Sequence, residues 1–334
     1  MRELAGGVII ALILAFLEYK GIFWNPSAFM CITCKNLIIL NLLFIAGAFF
    51  STNLLGSFAI KIPRAREFVK ALIGGILMGI GCIIALEGNI SGGILSFAGM
   101  SVGGLLMFAG LVIGMYFGVI FEIKELEKYP STGAVQIRFP KLNYIFAILA
   151  LGIIWLLMDK HYLLGIFALL GAVFGASRWC MFNGFKEPFV SEKVGASLGL
   201  IFCLLIITII TAVLKFNGII PKDFGILANF GVGGFAGGLI FGLGMGIAGG
   251  GIESILWRTG EGDLKYLVAG ASFLSMVTAG KYILKKAIIP GQKLFMPKLI
   301  GYPGAVAVFL AIPLLWLLIV LWNKKTKRLI KRYF

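Results

Sequence analysis

The chain has 334 residues, of which 60% are hydrophobic and 13% are charged, and its mean hydropathy is +1.02. These values exclude a soluble globular domain, which needs a polar surface and about 25% charged residues. The formal net charge of +16 does not indicate nucleic-acid binding, because the basic residues form no single patch. They follow apolar stretches, as in Lys61, Arg64, Arg66 and Lys70 and in the tail NKKTKRLIKR, which is typical of a membrane protein.

Ten apolar stretches follow one another along the chain, and most are long enough to cross a hydrocarbon core about 30 Å thick. The stretch 162–177 is the least secure, because it is short and interrupted by glycine. The sequence therefore predicts an all-α integral membrane protein with nine or ten transmembrane helices. The ten stretches are residues 4–19, 36–60, 68–86, 102–121, 142–158, 162–177, 194–214, 227–249, 264–284 and 303–322.

The first stretch resembles a signal peptide, but no small-x-small cleavage site follows it, which favours a first transmembrane helix. With ten crossings, more lysines and arginines fall on the side shared by both termini than on the opposite side. Because basic residues concentrate in cytoplasmic loops, both termini are predicted to be cytoplasmic. The chain is accordingly expected to be a multi-pass protein of the cell membrane, in contact with lipid and not with nucleic acid.

Two parts of the chain resemble each other at a displacement of 163 residues. GGILMGIGCIIALEGNISGGILSFAG (74–99) then lies on GGLIFGLGMGIAGGGIESILWRTGEG (237–262), with Ala85 on Ala248. A second correspondence places GIFWNPSAF (21–29) on GAVFGASRW (171–179). Two matches in the same order indicate a duplication. The matched glycines are Gly74, Gly75, Gly79, Gly81, Gly88 and Gly99 with Gly237, Gly238, Gly242, Gly244, Gly251 and Gly262.

The duplication predicts two halves, residues 1–158 and 159–322, followed by a basic tail at 323–334. Each half would hold about five spans, and an odd number of crossings inserts the second half upside down relative to the first. The predicted architecture is therefore an inverted repeat with short broken or re-entrant helices.

Four segments interrupt the helical pattern, at 26–36, 86–101, 177–188 and 249–263. Non-helical backbone at membrane depth is tolerated where protein or water covers it, so these breaks are expected to line a pathway. For the glycines from 237 to 244, helix packing is the favoured interpretation over a pathway role. For AGGG at 248–251, which includes Gly249, Gly250 and Gly251, a loop in the pathway is favoured.

Charged residues near the breaks allow two interpretations. Arg178 and Arg258 either hold an anion beside a broken helix or lie in cytoplasmic loops as orientation signals, and both possibilities stay open. Glu87 and Glu253 lie near span ends, where exposure in a loop is a sufficient explanation. His161 reads as a loop residue.

Cysteine is the reactive side chain that occurs near the breaks, and its thiol suits contact with sulfur or selenium. Cys180 in SRWC is the better candidate and Cys82 in GIGC the second, whereas Cys203 reads as an apolar filler. Cys31 and Cys34 form a single CxxC, which more often marks two small residues at a helix end than a metal site.

The sequence offers no enzymatic or energy-coupling signature. It has no HExxH, no GxSxG before a helix, no P-loop and no paired intramembrane carboxylates at helical spacing. No enzyme activity, cofactor or metal is therefore expected.

The glycine-rich breaks, together with SRWCMFNG and RTGEGD, resemble the YeeE/YedE family of membrane transporters for sulfur compounds, especially members associated with selenium metabolism. The resemblance extends from about residue 21 to 285. Arg178, Trp179 and Cys180 match an arginine, aromatic and cysteine element of the family. The resemblance implies that thiosulfate passes along cysteines in a narrow pore between inverted halves.

The chain departs from that pattern, because Gly88 and Gly251 stand where the family has the cysteines of its GGC elements. Either another sulfur or selenium species uses Cys180 with backbone donors around these glycines, or neighbouring side chains such as Asn89, Ser91, Glu253 and Ser254 replace the thiols. The first explanation is preferred.

The resulting hypothesis is a permease for a small sulfur- or selenium-containing species, an anion such as thiosulfate. Cys180 would contact the sulfur, Arg178 would hold the charge, and Gly88 and Gly251 would open the backbone. The alternative is a membrane-embedded binding subunit that delivers its cargo to a cytoplasmic sulfur or selenium carrier protein. The candidate pathway residues are Cys82, Gly88, Ser91, Arg178, Trp179, Cys180, Gly249, Gly250, Gly251, Glu253 and Arg258.

Overall fold

The computed structural model describes residues 1–27, 35–129, 134–140, 142–157, 162–227, 231–283 and 293–329. Cys31, Cys34 and His161 lie outside the described residues. The elements are α1 (Arg2–Tyr19), α2 (Lys35–Leu54), β1 (Ala59–Ile62), α3 (Ala65–Ala85), a π-helical turn (Ser91–Leu95), α4 (Ser96–Ala98), α5 (Val102–Lys128), β2 (Val135–Arg138), α6 (Asn143–Leu157), α7 (Tyr162–Ser177), α8 (Met181–Val190), α9 (Gly195–Phe216), α10 (Val232–Ala248), α11 (Ile252–Gly260), α12 (Leu264–Ile283) and α13 (Pro297–Thr326).

All ten apolar stretches contain a helix, and the prediction of an all-α integral membrane protein is confirmed. Six of the described helical segments are long and apolar enough to cross a membrane, and three shorter apolar helices accompany them. The number of crossings stays a prediction. The second stretch ends earlier than expected, because Gly56 adopts a φ of 65° and the chain continues into β1. Strands β1 and β2 pair antiparallel, with Ala59 opposite Arg138.

Helices α3 and α10 cross each other in antiparallel directions through glycine. Gly74 faces Gly244 and Ala248, whereas Gly81 faces Gly237. A displacement of 163 residues turns the contact between Gly74 and Gly244 into the contact between Gly237 and Gly81. The crossing is therefore the same from either helix, as across a two-fold axis perpendicular to both. This is the relation that an inverted repeat requires.

Each of these two helices also packs against one parallel neighbour. Gly75 and Gly79 on α3 face α12, and the equivalent Gly238 and Gly242 on α10 face α5. Without a Cβ atom, the glycines let the backbones approach closely. The interpretation of the glycines from 237 to 244 as packing residues is confirmed.

The second sequence correspondence, of 21–29 with 171–179, is wrong. Gly171 lies inside α7, where it packs against Phe44 of α2, whereas Gly21 lies beyond the end of α1. Helix α7 continues to Ser177, so the matched residues 171–177 are helical. Gly21 (φ 73°) and Arg178 (φ 58°) instead occupy similar positions, because each has a left-handed backbone conformation just after its helix.

The start of α1 and the end of α13 lie at one end of the molecule, which we call the terminal face. Glu3 lies beside Gly195 at the start of α9. Lys327, just beyond α13, donates to Glu192 in the preceding turn at 2.6 Å. Both chain ends thus share a side, as ten crossings require, while the assignment of that side to the cytoplasm stays a prediction.

Candidate functional site: the junction of the helix breaks

The two glycine-rich spans break at equivalent positions. Helix α3 ends before Leu86, whose φ is 65°, and α10 ends before Gly249, whose φ is 89°. These residues are 163 positions apart, so the same left-handed turn ends both helices. Gly251 then begins the approach to α11 with an extended backbone. A loop is confirmed at residues 249–251, whereas Ala248 is the last residue of α10; its place in a pathway stays a prediction.

Three of the breaks meet at one buried point. Asn89 lies in the break at 86–101, which we call the first break. It donates from Nδ2 to Glu253 Oε2 at 2.6 Å, and its Oδ1 accepts from the Ile252 backbone N–H at 3.3 Å. Glu253 Oε1 also accepts from the Met181 backbone N–H at 3.2 Å. We call this set of residues, Asn89, Met181, Ile252, Glu253 and Ser254, the junction. It joins the first break to α8 and α11.

The expectation that Glu253 is exposed in a loop is wrong, since its side chain is 0% exposed. Glu253 lies in the first turn of α11, where Met181 of α8 and Asn89 of the first break donate hydrogen bonds to it. The sequence indicates Asn89 only as a replacement for a thiol. Its position directly after Gly88, where the glycine-rich span is interrupted, is the sequence feature that could identify it.

The break at 26–36 meets the break at 86–101 near its described end. Asn25, just before it, donates from its amide to Glu87 Oε2 at 2.6 Å, and Ser27 lies against Gly88. The Ser91 hydroxyl accepts from the Gly88 backbone N–H at 3.2 Å. Cys82 is 0% exposed on α3 and interacts with Glu87 and Ser27. Side chains from both breaks thus fill the space around Gly88.

Other side chains occupy the space into which a cysteine at either family position would project. A Cβ atom at Gly251 would meet Asn89 Nδ2 and Glu253 Oε2 at 2.5 Å each, and Met245 Cε at 2.9 Å. At Gly88, the Ser27 hydroxyl fills the corresponding space. The Gly88 N–H already donates to Ser91, and the Ile252 N–H already donates to Asn89. The choice between the two explanations stays a prediction.

A polar cavity of about 380 Å³ opens at the terminal face, and we call it the vestibule. Four cationic side chains line it against three carboxylates, so its excess charge is positive. Its inner part includes Asn183, Trp257 and Arg258, close to Cys180. The full lining is Glu3, Lys61, Arg178, Asn183, Lys186, Glu187, Val190, Ser191, Ala196, Trp257, Arg258 and Glu261.

The two candidate arginines differ in their partners. Arg178 forms an ion pair with Glu261, which Lys61 also contacts at 3.1 Å. Arg258 instead donates to the Tyr266 hydroxyl at 2.8 Å, and its Nε is buried with no hydrogen-bond partner among the described residues. No carboxylate oxygen in the described part of the chain lies within 4.0 Å of Arg258. Arg178 thus has a carboxylate partner at ion-pair distance, whereas Arg258 interacts with Asp263 and Glu261 only at longer range.

Cys180 lies between the vestibule and the junction. Its side chain is 2% exposed, and it immediately precedes α8. Ser254, the Asn183 backbone and the charges of Arg258 and Glu253 act on its thiol. This combination of a soft sulfur and a nearby cation suits an anionic sulfur species.

The remaining candidates support this arrangement. Trp179 is buried against Phe174, and its carbonyl accepts from Trp257 Nε1 at 3.0 Å, so it holds α11 near α7. The Gly249 carbonyl accepts from the Tyr266 hydroxyl at 3.1 Å, and Gly250 lies against Ser254. Among the described residues, no group of three His, Cys, Asp or Glu side chains could hold a metal ion.

Broken helices beside a polar cavity are features of membrane transporters built from internal repeats. The Sulphur transport family matches residues 7–117 and 176–333, more than half of the chain. The chain belongs to this family, which confirms the predicted resemblance at family level.

A curated relative supports the same assignment. The probable transporter YedE of Salmonella typhimurium strain LT2 is 24% identical over 244 residues, which is 67% of this chain and 59% of the relative. The chain thus spans about three fifths of that relative's length.

Proposed function

We propose that this protein carries a small anionic sulfur species, with thiosulfate as the substrate to test first, between two inverted halves of one chain. A selenium analogue has the same chemistry at the soft contact and is the second substrate to test. The observation that carries the proposal is the vestibule, where an arginine without a carboxylate partner lies next to a buried thiol. Anions would enter from the terminal face, drawn by its positive charge.

The route has three steps. The anion first contacts Arg258 and Asn183 in the vestibule, then the Cys180 thiol, and then the junction at Asn89 and Glu253. Each neighbouring pair along this route is in contact or interacts electrostatically in the structure. Polar groups therefore continue from the vestibule to the point where the halves meet.

The antiparallel crossing of α3 and α10 supports the inverted arrangement. In transporters built from inverted repeats, one half rocks against the other around a site at their interface. The junction lies at such an interface, since Asn89 belongs to the first half and Glu253 to the second. The glycine crossing would act as the fixed contact between them.

A second candidate function is delivery of the bound species to a cytoplasmic carrier protein without translocation. It is favoured by the opening of the vestibule at one face. Gly262, which lies beside Lys61 near the vestibule, is equivalent to Gly99 in the first half. Gly99 is covered by the fully buried Lys215, whose Nζ donates to the Gly99 carbonyl at 2.7 Å. Flux of labelled thiosulfate across proteoliposomes separates the two, because a delivery subunit gives binding without flux.

The role of Arg258 is tested by comparing two neutral substitutions. Arg258→Gln removes the unpaired cation and is expected to lower thiosulfate uptake by about 10- to 100-fold, the value of one lost charged hydrogen bond. Arg178→Gln removes a cation already paired with Glu261 and is expected to change uptake less. Equal losses in the two variants would contradict the assignment of the anion to Arg258.

A further inference from the structure

Glu253 is a carboxylate buried without a cation. Its oxygens accept from Asn89 Nδ2 at 2.6 Å, from the Met181 backbone N–H at 3.2 Å and from the Ser254 hydroxyl at 3.3 Å. All three donors are neutral. No lysine or arginine nitrogen in the described ranges lies within 4.0 Å of it. An ionised carboxylate in such surroundings is unfavourable, so Glu253 readily takes up a proton.

Few other charged or titratable groups face this carboxylate. The thiol of Cys180 interacts with it electrostatically, and Arg258 acts in turn on that thiol. None of them forms an ion pair with it. Within the described residues these groups are Cys180 before α8, Arg258 on α11, Tyr266 and Lys265 on α12, and Glu87 in the first break.

Groups with exchangeable protons lie between Glu253 and the vestibule. The Ser254 hydroxyl donates to the carboxylate at 3.3 Å. The Cys180 thiol interacts electrostatically with Glu253 and with Arg258, and Arg258 lines the vestibule. The route proposed for the anion therefore also offers hydroxyl and thiol groups to a proton.

On the basis of the function proposed above, we propose that Glu253 binds a proton that is carried together with the anion. An anion at Cys180 is repelled by an ionised Glu253 and tolerated by a neutral one. Proton binding and anion binding therefore favour each other, as reciprocal coupling requires. When the halves rearrange, both would leave on the opposite side, so a proton gradient would drive accumulation of the anion.

Transport in proteoliposomes tests the proposal. The full-length protein is reconstituted, and accumulation of ³⁵S-labelled thiosulfate is measured with and without an inwardly directed proton gradient. We expect the gradient to raise accumulation by the wild type at least about fivefold, since one pH unit changes the proton ratio about tenfold. Glu253→Gln keeps the shape but carries no exchangeable charge, and it is expected to lose this stimulation while exchange of labelled for unlabelled thiosulfate stays measurable.

Glu87→Gln is the matched control, because Glu87 is a partly buried carboxylate that lies in the other break and accepts a hydrogen bond from Asn25. It should keep the stimulation by the gradient. Stimulation that persists in Glu253→Gln, or that is absent from a wild type that exchanges thiosulfate, would overturn the proton proposal and leave the transport function intact. A wild type with no thiosulfate flux in either assay would instead refute the proposed function. Thermal unfolding of each variant identifies misfolded protein.

Discussion

Gly251→Cys restores the family residue, and the structure gives reasons to expect a penalty. The backbone accepts a side chain, since φ is −85° and ψ is −170°. The new Cβ would, however, meet Asn89 Nδ2 and Glu253 Oε2 at 2.5 Å. Overpacking costs about 1–3 kcal/mol, and weakening the buried hydrogen bond between Asn89 and Glu253 adds about 1–2 kcal/mol. We therefore expect a loss of about 2–5 kcal/mol.

A double-mutant cycle measures this clash. Asn89→Ala alone loses the hydrogen bond to Glu253, whereas in combination with Gly251→Cys it also makes room for the thiol. The double variant should therefore be more stable than the sum of the single losses by at least about 1 kcal/mol. Thermal unfolding in detergent at one scan rate is suitable, with roughly 2 °C expected per kcal/mol for a chain of this size.

Gly152→Cys is the control, because nothing lies within 4 Å of the Cβ position at this residue of α6. It should change the unfolding midpoint by less than about 2 °C. Wild-type stability of Gly251→Cys, or strictly additive effects in the cycle, would refute the reasoning that polar side chains fill the cysteine position.

Two further predictions concern the thiol and the helix ends. Cys180→Ala should abolish most thiosulfate uptake, whereas Cys203→Ala, in the buried apolar face of α9, should retain it; equal uptake in both variants would exclude a thiol contact. Gly249→Ala should destabilise the protein by about 1–2 kcal/mol, because φ is 89°. Leu86→Gly, at the equivalent turn, should change stability by less than about 1 kcal/mol, since relief of strain offsets lost packing and chain entropy; thermal unfolding checks both, and a larger loss for Leu86→Gly would contradict the shared turn.

The sequence predicted the helices and the first repeat because apolar length and glycine spacing are local properties. It correctly separated the packing glycines from the loop that follows Ala248, since three glycines in a row weaken a helix. The correspondence of Gly21 with Gly171 failed, because a few matching letters do not reveal whether a segment lies inside a helix or after it.

Partners across the two halves were beyond the reach of the sequence. Arg178 and Arg258 look alike in the chain, and only the folded molecule pairs one with Glu261 and leaves the other with Tyr266. Glu253, near a predicted span end, looked exposed, because two of the groups that donate hydrogen bonds to it come from α8 and from the first break. Such contacts depend on how distant segments meet.

The self-complementary crossing of α3 and α10 has a consequence for the number of sites. Two identical half-chains joined by this contact would carry every functional group twice, once for each membrane face. In a single chain the two copies are free to differ, and here Glu253 is opposite Ile90 at the equivalent position of the first half. Under the proposed mechanism, a glutamate at one of these two equivalent positions allows one proton per cycle there, where a symmetric dimer would present two.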